Sequence, residues 1–155
     1  MTTVELMPSN EFNEVMMRPR QIMHRYQERS KEMKTDLNPS TSVMEADGRL
    51  NYWGYGPSFL FAPKASYAGK GKNPVTEFKN LVKTLHREGL GIVAELFFTG
   101  EETPTDVVEV ARFWVREFHV DGLHISGTAP IALLASDPYL SDTMIWATSW
   151  DGIET

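Results

Sequence analysis

The eight residues at positions 91–98, GIVAELFF, constrain the fold of this chain more than any other feature of its sequence. The run is almost continuously apolar, with Glu95 as its single charged residue. A strand that reads this way is typical of a parallel sheet whose two faces are both covered. The segment therefore predicts a buried parallel strand with one carboxylate in its middle.

Amphipathic helices are predicted on both sides of that strand. Residues 73–89 start near Pro74, stop at Gly89 and carry one apolar face, and Thr103 with Pro104 opens a second helix of the same kind. Further strands are predicted at 2–8, 120–126 and 143–148, with a short helix at 130–135. Strands that alternate with helices indicate an α/β fold with parallel pairing and right-handed crossovers.

The stretch from about 13 to 50 interrupts this alternation. Residues 18–36 mix basic, acidic and occasional apolar residues and predict a mostly solvated helix. Residues 38–49 have the proline, serine, aspartate and glycine content of a loop, and residues 51–63 predict a rigid, aromatic, ligand-facing loop. We expect one domain over 1–155 with a helical and loop excursion at about 13–50.

Charge and composition exclude several classes of partner. The formal net charge is −6, and an acidic chain repels phosphate backbones and anionic lipid surfaces, so neither nucleic acid nor a membrane is an expected partner. The absence of cysteine excludes disulfides and thiolate metal sites. No cluster has metal-ligand spacing and no glycine-rich phosphate loop is present, so we expect no metal and no cofactor. A cytoplasmic location is the default expectation.

Four ordered segments carry a resemblance to a known family. VELMPSNEF (4–12), NYWGYGPSFLFAPKASY (51–67), VTEFKNLVKTLHREGLGIVAELFF (75–98) and FWVREFHVDGLHI (113–125) resemble consecutive core segments of glycoside hydrolase family 13, the alpha-amylase family, in its isoamylase and pullulanase-like glycogen-debranching branch. The resemblance implies a partial (β/α)8 TIM barrel of about four parallel strands with flanking helices. It also implies an α-glucan or maltooligosaccharide as the partner, and leaves open whether the chain is a piece of a longer protein.

The resemblance implies that the family's catalytic carboxylates are missing. Its D-G-F-R-F-D motif falls on residues 121–126, which places His124 at the arginine position and Ser126 at the nucleophile. Its A-E-P-W-D motif falls on residues 147–151, which places Thr148 at the general acid. A hydroxyl that stays protonated replaces neither a glycosidase nucleophile nor its acid. We therefore predict a chain impaired in catalysis, with no confident catalytic residue.

Substrate-binding residues are expected at Tyr55, Trp53, Glu95 and His124. The family's equivalent of Tyr55 stacks on a sugar ring, while Glu95 and His124 are expected to face the pocket. The alternatives are that the aromatic rings only pin their loop and that Glu95 is structural. A Ser126–His124 catalytic pair is disfavoured because no acid that would orient the histidine is evident, and Asp121 is expected to serve a turn.

Two classes of function remain open at this point. The first is an α-glucan hydrolase-like barrel segment in carbohydrate metabolism. The second is a non-catalytic module that binds α-glucan or associates with itself. Four parallel strands leave two open sheet edges, which favours homo-oligomers.

Overall fold

The computed structural model describes residues 2–21 and 42–148, and it divides the chain into two compact units. The first unit comprises Met1–Asn13 and Trp53–Thr155, and the second comprises Glu14–Tyr52. The strands are β1 (Thr2–Leu6), β2 (Asn10–Phe12), β3 (Val15–Gln21), β4 (Ser42–Leu50), β5 (Ser58–Pro63), β6 (Leu90–Phe98), β7 (Gly122–Gly127) and β8 (Met144–Ala147). The helices are α1 (Pro74–Arg87), α2 (Pro104–Phe118) and α3 (Ile131–Ala135).

A four-stranded parallel sheet organises the first unit. Its spatial order is β1-β6-β7-β8, so the apolar strand β6 lies inside the sheet and is paired on both sides. Helix α1 precedes β6 and helix α2 connects β6 to β7. The prediction of an α/β fold with parallel strands and flanking helices is confirmed.

Both long helices begin where their sequence signals indicated. The side chain of Asn73 accepts a hydrogen bond from the Thr76 amide at the start of α1, and Thr103 does the same for the Asp106 amide at the start of α2. Each cap satisfies an amide that has no partner inside the helix, and each is followed by proline. No helix in the part of the chain that the structure describes is long and apolar enough to cross a membrane.

The hydrophobic core lies between the parallel sheet and these helices. Alternate residues of β6 point into it, and the indole of Trp114 from α2 is completely buried there. Since side chains alternate along a strand, the same geometry turns the intervening residues of β6, including Glu95, to the other face of the sheet. Residues of this core include Phe78, Leu96, Phe98, Trp114, Phe118, Leu123 and Ile125.

A short antiparallel pair, β2 with β5, stands beside the main sheet in the first unit. Residues 58–63 are therefore strand, and the expectation of an irregular loop over all of 51–63 is wrong for this half. Lys64 at the end of β5 is buried, where its Nζ lies 2.5 Å from the carboxylate of Glu11 and 4.4 Å from the centroid of the Phe12 ring. These contacts tie β5 to β2 and compensate the buried charge.

The second unit is an antiparallel pair of β3 and β4. The helix predicted at 18–36 is wrong for residues 18–21, and the loop predicted at 38–49 is wrong for residues 42–49, because both stretches are strands. The backbone of Arg18 pairs with that of Glu45. A partner this distant along the chain satisfies the backbone hydrogen bonds, which the local pattern of side chains does not reveal. Residues 22–41 lie outside the described residues.

An ion pair joins α2 to the turn before β8. Arg112 donates to the carboxylate of Asp137 from Nε at 3.1 Å and from Nη2 at 2.5 Å, and also to Glu109 at 2.8 Å. The hydrogen bonds from Arg112 are the main cause of a lowered pKa at Asp137, and the amide of Tyr139 adds to it. Burial of this carboxylate acts in the opposite direction but does not outweigh these contacts.

We expect this ion pair to make stability depend on pH in acid. Because the pKa of Asp137 is lower in the folded state, its contribution is fully present above its unfolded pKa of about 3.9 and is lost as pH falls through the folded value. The free energy of unfolding of Asp137→Asn should therefore fall less steeply than that of the wild type below about pH 3.9. Urea unfolding at a series of pH values measures this slope.

The exposed carboxylate of Asp142 offers a matched control for that experiment. Asp142→Asn removes the same charge at a residue that does not contact Arg112, so it measures what the loss of one carboxylate does to the slope. Equal slopes for Asp137→Asn and the wild type would contradict the role of the Arg112–Asp137 pair.

Candidate functional site

Three polar side chains from neighbouring parallel strands meet on the face of the sheet that turns away from the helices. They are Glu5 of β1, Glu95 of β6 and His124 of β7, and one donor atom from each lies within 4.8 Å of the other two. Glu95 and His124 are register partners, and β1 pairs directly with β6. We call these three residues the Glu–Glu–His cluster. Two predicted site residues, Glu95 and His124, are thus brought together, and Glu5 joins them.

His124 is held at both ring nitrogens. Its Nδ1 lies 2.6 Å from Oε1 of Glu5, and its Nε2 lies 3.2 Å from Oγ1 of Thr148. The Thr148 hydroxyl donates in turn to the carbonyl of Ile125 at 3.4 Å. Trp146 of β8 packs beside the imidazole, with ring centroids 5.9 Å apart. The expectation that no acid orients this histidine is therefore wrong, because Glu5 does so from 119 residues away in the sequence.

Tyr55 closes one side of the cluster. Its hydroxyl donates to Oε2 of Glu95 at 3.1 Å, and its ring meets that of Phe97 edge to face at 5.4 Å. Burial raises the pKa of Tyr55, and the charge and hydrogen bond of Glu95 raise it further, with a smaller effect from Glu5. The phenol therefore stays protonated and serves as a donor. Tyr55 is 44% exposed, whereas Glu95 is only 6% exposed.

The remaining predicted substrate residue, Trp53, lies two residues before Tyr55 and is largely exposed. Gly54 between them is buried, and a Cβ at this position would meet the side chains of Phe12 and Pro8 at 2.9 Å. Close packing at Gly54 thus fixes the loop that carries both aromatic rings.

Ser126 and Thr148 occupy different surroundings. Ser126 is 7% exposed, and within the described residues its hydroxyl oxygen has no hydrogen-bond partner. It lies two residues after His124 on the same face of β7, but the nitrogens of His124 are engaged by Glu5 and Thr148 instead. No Ser126–His124 pair forms between these described residues. Thr148, which follows β8, is exposed and hydrogen-bonded to His124.

The carboxylate of Asp121 lies outside the cluster and stabilises the start of β7. It accepts hydrogen bonds from the backbone amide of Ile92 and from Nε2 of His86, each at 2.8 Å. It therefore ties the entry of β7 to β6 and α1, as expected for a turn carboxylate. Asp121 is not brought to the face where Glu95 and His124 lie.

The turn that follows β6 is built on Glu102. Its carboxylate accepts hydrogen bonds from the hydroxyl of Thr99 at 3.0 Å and from the amide of Gly100 at 3.0 Å. Burial alone would raise the pKa of Glu102, but these hydrogen bonds lower it. The turn before α2 is thus ordered and hydrogen-bonded.

Glu5 and Trp146 were not singled out from the sequence. Phe97 follows from strand alternation, since it lies two residues after Glu95. Glu5 lies within VELMP, where a carboxylate inside an otherwise apolar strand is an unusual choice. That signal could have marked Glu5 as a site residue.

Curated relatives of this chain are bacterial proteins of glycogen metabolism. A glycogen operon protein GlgX homolog from Haemophilus influenzae is 40% identical over 166 aligned positions, which cover 70% of this chain and 25% of the relative. A glycogen debranching enzyme from Salmonella paratyphi A is 26% identical over 161 positions, which cover 67% of this chain and 24% of the relative. The chain thus spans about a quarter of the length of these relatives. It matches no model of a protein family.

Solved structures share the fold. The pullulanase of Paenibacillus barengoltzii, solved in complex with maltohexaose and alpha-cyclodextrin, matches with a TM-score of 0.50 and 20% identity over 81% of this chain and 22% of the pullulanase. The glycogen-degrading pneumococcal virulence factor SpuA, solved as a product complex, matches with a TM-score of 0.52 and 17% identity over 66% of this chain and 16% of SpuA. The curated relatives confirm the resemblance of this chain to the isoamylase and pullulanase-like branch of glycoside hydrolase family 13, over about a quarter of their length, and the solved structures share its fold.

Proposed function

We propose that this chain is an α-glucan-binding segment of a debranching-type protein and that it does not hydrolyse glucan by the family's carboxylate mechanism. The observation that carries the proposal is the contact of Tyr55 with Glu95, beside His124, on one face of a parallel sheet. The curated relatives are named for glycogen, which supports glycogen as the polymer that this chain binds. The proposal includes a partial (β/α)8 barrel as the domain over 1–155 and a cytoplasmic location.

The chemistry of this face suits a sugar ring. A pyranose presents apolar C–H groups on its faces and hydroxyls around its rim. Tyr55 offers a half-exposed ring whose orientation is set by Phe97 and by the hydrogen bond to Glu95. The carboxylates of Glu5 and Glu95 are acceptors for sugar hydroxyls. An aromatic platform next to fixed acceptors is the arrangement that a neutral carbohydrate ligand requires.

We expect no hydrolysis by the family's mechanism, because Ser126 and Thr148 occupy the positions of its nucleophile and its general acid. The hydroxyl of Ser126 contacts no base among the described residues, so nothing activates it as a nucleophile. Thr148 has a hydroxyl whose pKa lies far above neutral, so it transfers a proton to a leaving oxygen inefficiently. The position of the family's arginine holds His124, which is engaged by Glu5.

Binding of maltohexaose should depend on the ring of Tyr55. Isothermal titration calorimetry with the wild type should show weak binding, and Tyr55→Ala should weaken it by about tenfold, which corresponds to about 1.4 kcal/mol of aromatic contact. Tyr55→Phe keeps the ring and should lose less. Tyr139→Ala removes an exposed tyrosine that lies beside Arg112 of α2, on the helical side of the sheet, and should bind as the wild type does.

Two results would contradict the proposal. Equal affinity in Tyr55→Ala and Tyr139→Ala, or no heat in any of the proteins, would exclude glucan binding at this face. Release of reducing sugar from glycogen or pullulan by the purified chain would show that the chain hydrolyses glucan, which contradicts the second part of the proposal. If Glu95→Gln abolished that release, a carboxylate of the Glu–Glu–His cluster would be its source.

Self-association is a second candidate function, favoured by the edges of the parallel sheet. In the order β1-β6-β7-β8 the outer strands β1 and β8 each have one neighbour within the sheet. The outer backbone groups of an edge strand form a template for another strand. Size-exclusion chromatography with light scattering should then give a dimer or larger species. A monodisperse monomer would refute this candidate.

A further inference from the structure

We propose that the Glu–Glu–His cluster is a binding site for a divalent transition-metal ion such as Zn²⁺ or Co²⁺. Two carboxylates and one imidazole are a common ligand set for such ions. The donor atoms of Glu5, Glu95 and His124 lie within 4.8 Å of one another, on three adjacent strands of one sheet. This inference goes beyond the proposed glucan binding and does not depend on it.

The charge of the cluster favours a cation. Two carboxylates lie side by side, and one of them, Glu95, is almost completely buried. Within the described residues neither is paired with a lysine or an arginine, because Glu5 contacts His124 and Glu95 contacts the neutral Tyr55. Buried carboxylates are normally paired with a cation or coordinate a metal. A divalent ion between these oxygens would balance both charges.

Metal binding requires shifts of up to about 1.5 Å, since the donor atoms of the cluster lie within 4.8 Å of one another. Metal bonds from carboxylate oxygen and imidazole nitrogen are about 2.0–2.2 Å long, so tetrahedral ligands lie about 3.3–3.5 Å apart. The 2.6 Å contact between Nδ1 of His124 and Glu5 would have to open by less than about 1 Å. Glu5 can make this movement because its side chain is 45% exposed and its partner in the contact is His124 itself.

Residues next to the Glu–Glu–His cluster hold its side chains in place by hydrogen bonds, as residues around a metal site commonly do. A metal-binding histidine usually donates its other N–H to a fixed acceptor, which orients the ring. Nε2 of His124 meets Oγ1 of Thr148, whose hydroxyl donates on to the carbonyl of Ile125. Tyr55 holds the carboxylate of Glu95 in the same way. Both contacts leave Nδ1 of His124 and one oxygen of Glu95 for an ion.

The buried hydroxyl of Ser126 supplies an independent observation. It is more than nine-tenths buried, lies on the same face of β7 as His124, and has no hydrogen-bond partner within the described residues. A buried polar atom without a hydrogen-bond partner destabilises the folded protein unless a water or an ion pairs with it. A water bound to a metal at the cluster, which would be its fourth ligand, is a suitable partner for this hydroxyl.

The ligand set also selects among ions. Imidazole nitrogen favours Zn²⁺, Co²⁺, Ni²⁺ and Fe²⁺, whereas Ca²⁺ prefers six to eight oxygen ligands and Mg²⁺ keeps most of its water. We therefore expect Zn²⁺ and Co²⁺ to bind, and Ca²⁺ and Mg²⁺ to bind at least tenfold more weakly.

The metal site is tested by calorimetric titration of the 155-residue chain with Zn²⁺ after treatment with a chelator. In a second experiment, the visible absorption of bound Co²⁺ reports nitrogen coordination and the coordination number. One ion should bind per chain. Glu95→Gln and His124→Ala should each weaken binding at least tenfold, and Thr148→Val about tenfold through the orientation of the imidazole. Glu101→Gln, which removes an exposed carboxylate outside the cluster, should bind as the wild type does.

Circular dichroism establishes that each variant is folded, and Glu5→Gln provides a ligand variant at a more exposed position. Absence of binding by the wild type would overturn the proposal. Equal binding in Glu101→Gln, Glu95→Gln and Glu5→Gln would overturn it too, because the acidic surface alone would then account for the ion. Maltohexaose binding is measured separately, so failure of the metal site leaves the proposed glucan binding intact, and the reverse also holds.

Discussion

Trp114→Ala should lower the free energy of unfolding by about 3–5 kcal/mol, because it removes the largest side chain of the core. Trp114 is 0% exposed, and its indole packs at 5.3 Å from the ring of Phe78 and at 4.9 Å from that of Phe118. Removal loses the burial of this surface and leaves a cavity that α1, α2 and β5 cannot fill by small shifts. Urea unfolding followed by circular dichroism measures the change.

The indole also has a polar role that a second variant isolates. Nε1 of Trp114 donates to the buried carbonyl of Leu60 at 2.8 Å, which ties α2 to β5. Trp114→Phe keeps much of the apolar contact but leaves this carbonyl without its donor, at a cost of about 1–3 kcal/mol for the unpaired group. Val75→Ala, at an exposed position of α1, should cost less than about 1 kcal/mol. Equal stability of Trp114→Ala and Val75→Ala would contradict this account of the core.

Gly127→Ala should be the second severe change, with a loss of about 3 kcal/mol or more in the free energy of unfolding. Gly127 ends β7 with φ of +79°, and a Cβ there would overlap the backbone carbonyl oxygen of Phe98. Backbone cannot move aside as a flexible side chain can. Since that oxygen accepts the hydrogen bond from Thr128, any shift also breaks the junction between β6 and β7.

Gly89→Ala separates the two causes of this loss. Gly89 has nearly the same φ, +73°, but nothing lies within 4 Å of a Cβ at this position. Its substitution should therefore cost only the strain of the left-handed backbone, about 1–2 kcal/mol. Thermal and urea unfolding of both variants measure the difference. If Gly127→Ala were no less stable than Gly89→Ala, the contact with Phe98 would not be the cause.

Local sequence patterns were sufficient for the central βαβ unit. The run at 91–98 became β6, and the capped amphipathic helices on both sides became α1 and α2 close to their predicted ends. These signals are reliable because caps and apolar periodicity act within one or two turns of the chain. The pair β3 and β4 was missed because its backbone hydrogen bonds join segments more than 20 residues apart, and helix and loop patterns do not report such partners.

The candidate site, like the fold, was predicted from the sequence only in part. Resemblance to the debranching branch marked Tyr55, Glu95 and His124, and it marked Ser126 and Thr148 as hydroxyls where carboxylates would be needed. It did not indicate that Glu5 would hold His124 or that Thr148 would hold the other nitrogen of the ring. Those contacts depend on strand order and register, which no residue encodes by itself.

By itself, the sequence determined that β6 would be buried and that helices would flank it. The prediction that the family's catalytic acids are absent rests on the resemblance. Only the tertiary structure decided that the lone carboxylate of β6 would meet a glutamate from β1 and a histidine from β7. The physical reason is the period of two along a strand combined with parallel pairing. Together they place residues 5, 95 and 124 on one face of the sheet, with Glu95 and His124 as register partners and Glu5 opposite Val93, two residues before Glu95. Nothing in the spacing of these residues along the chain indicates this arrangement.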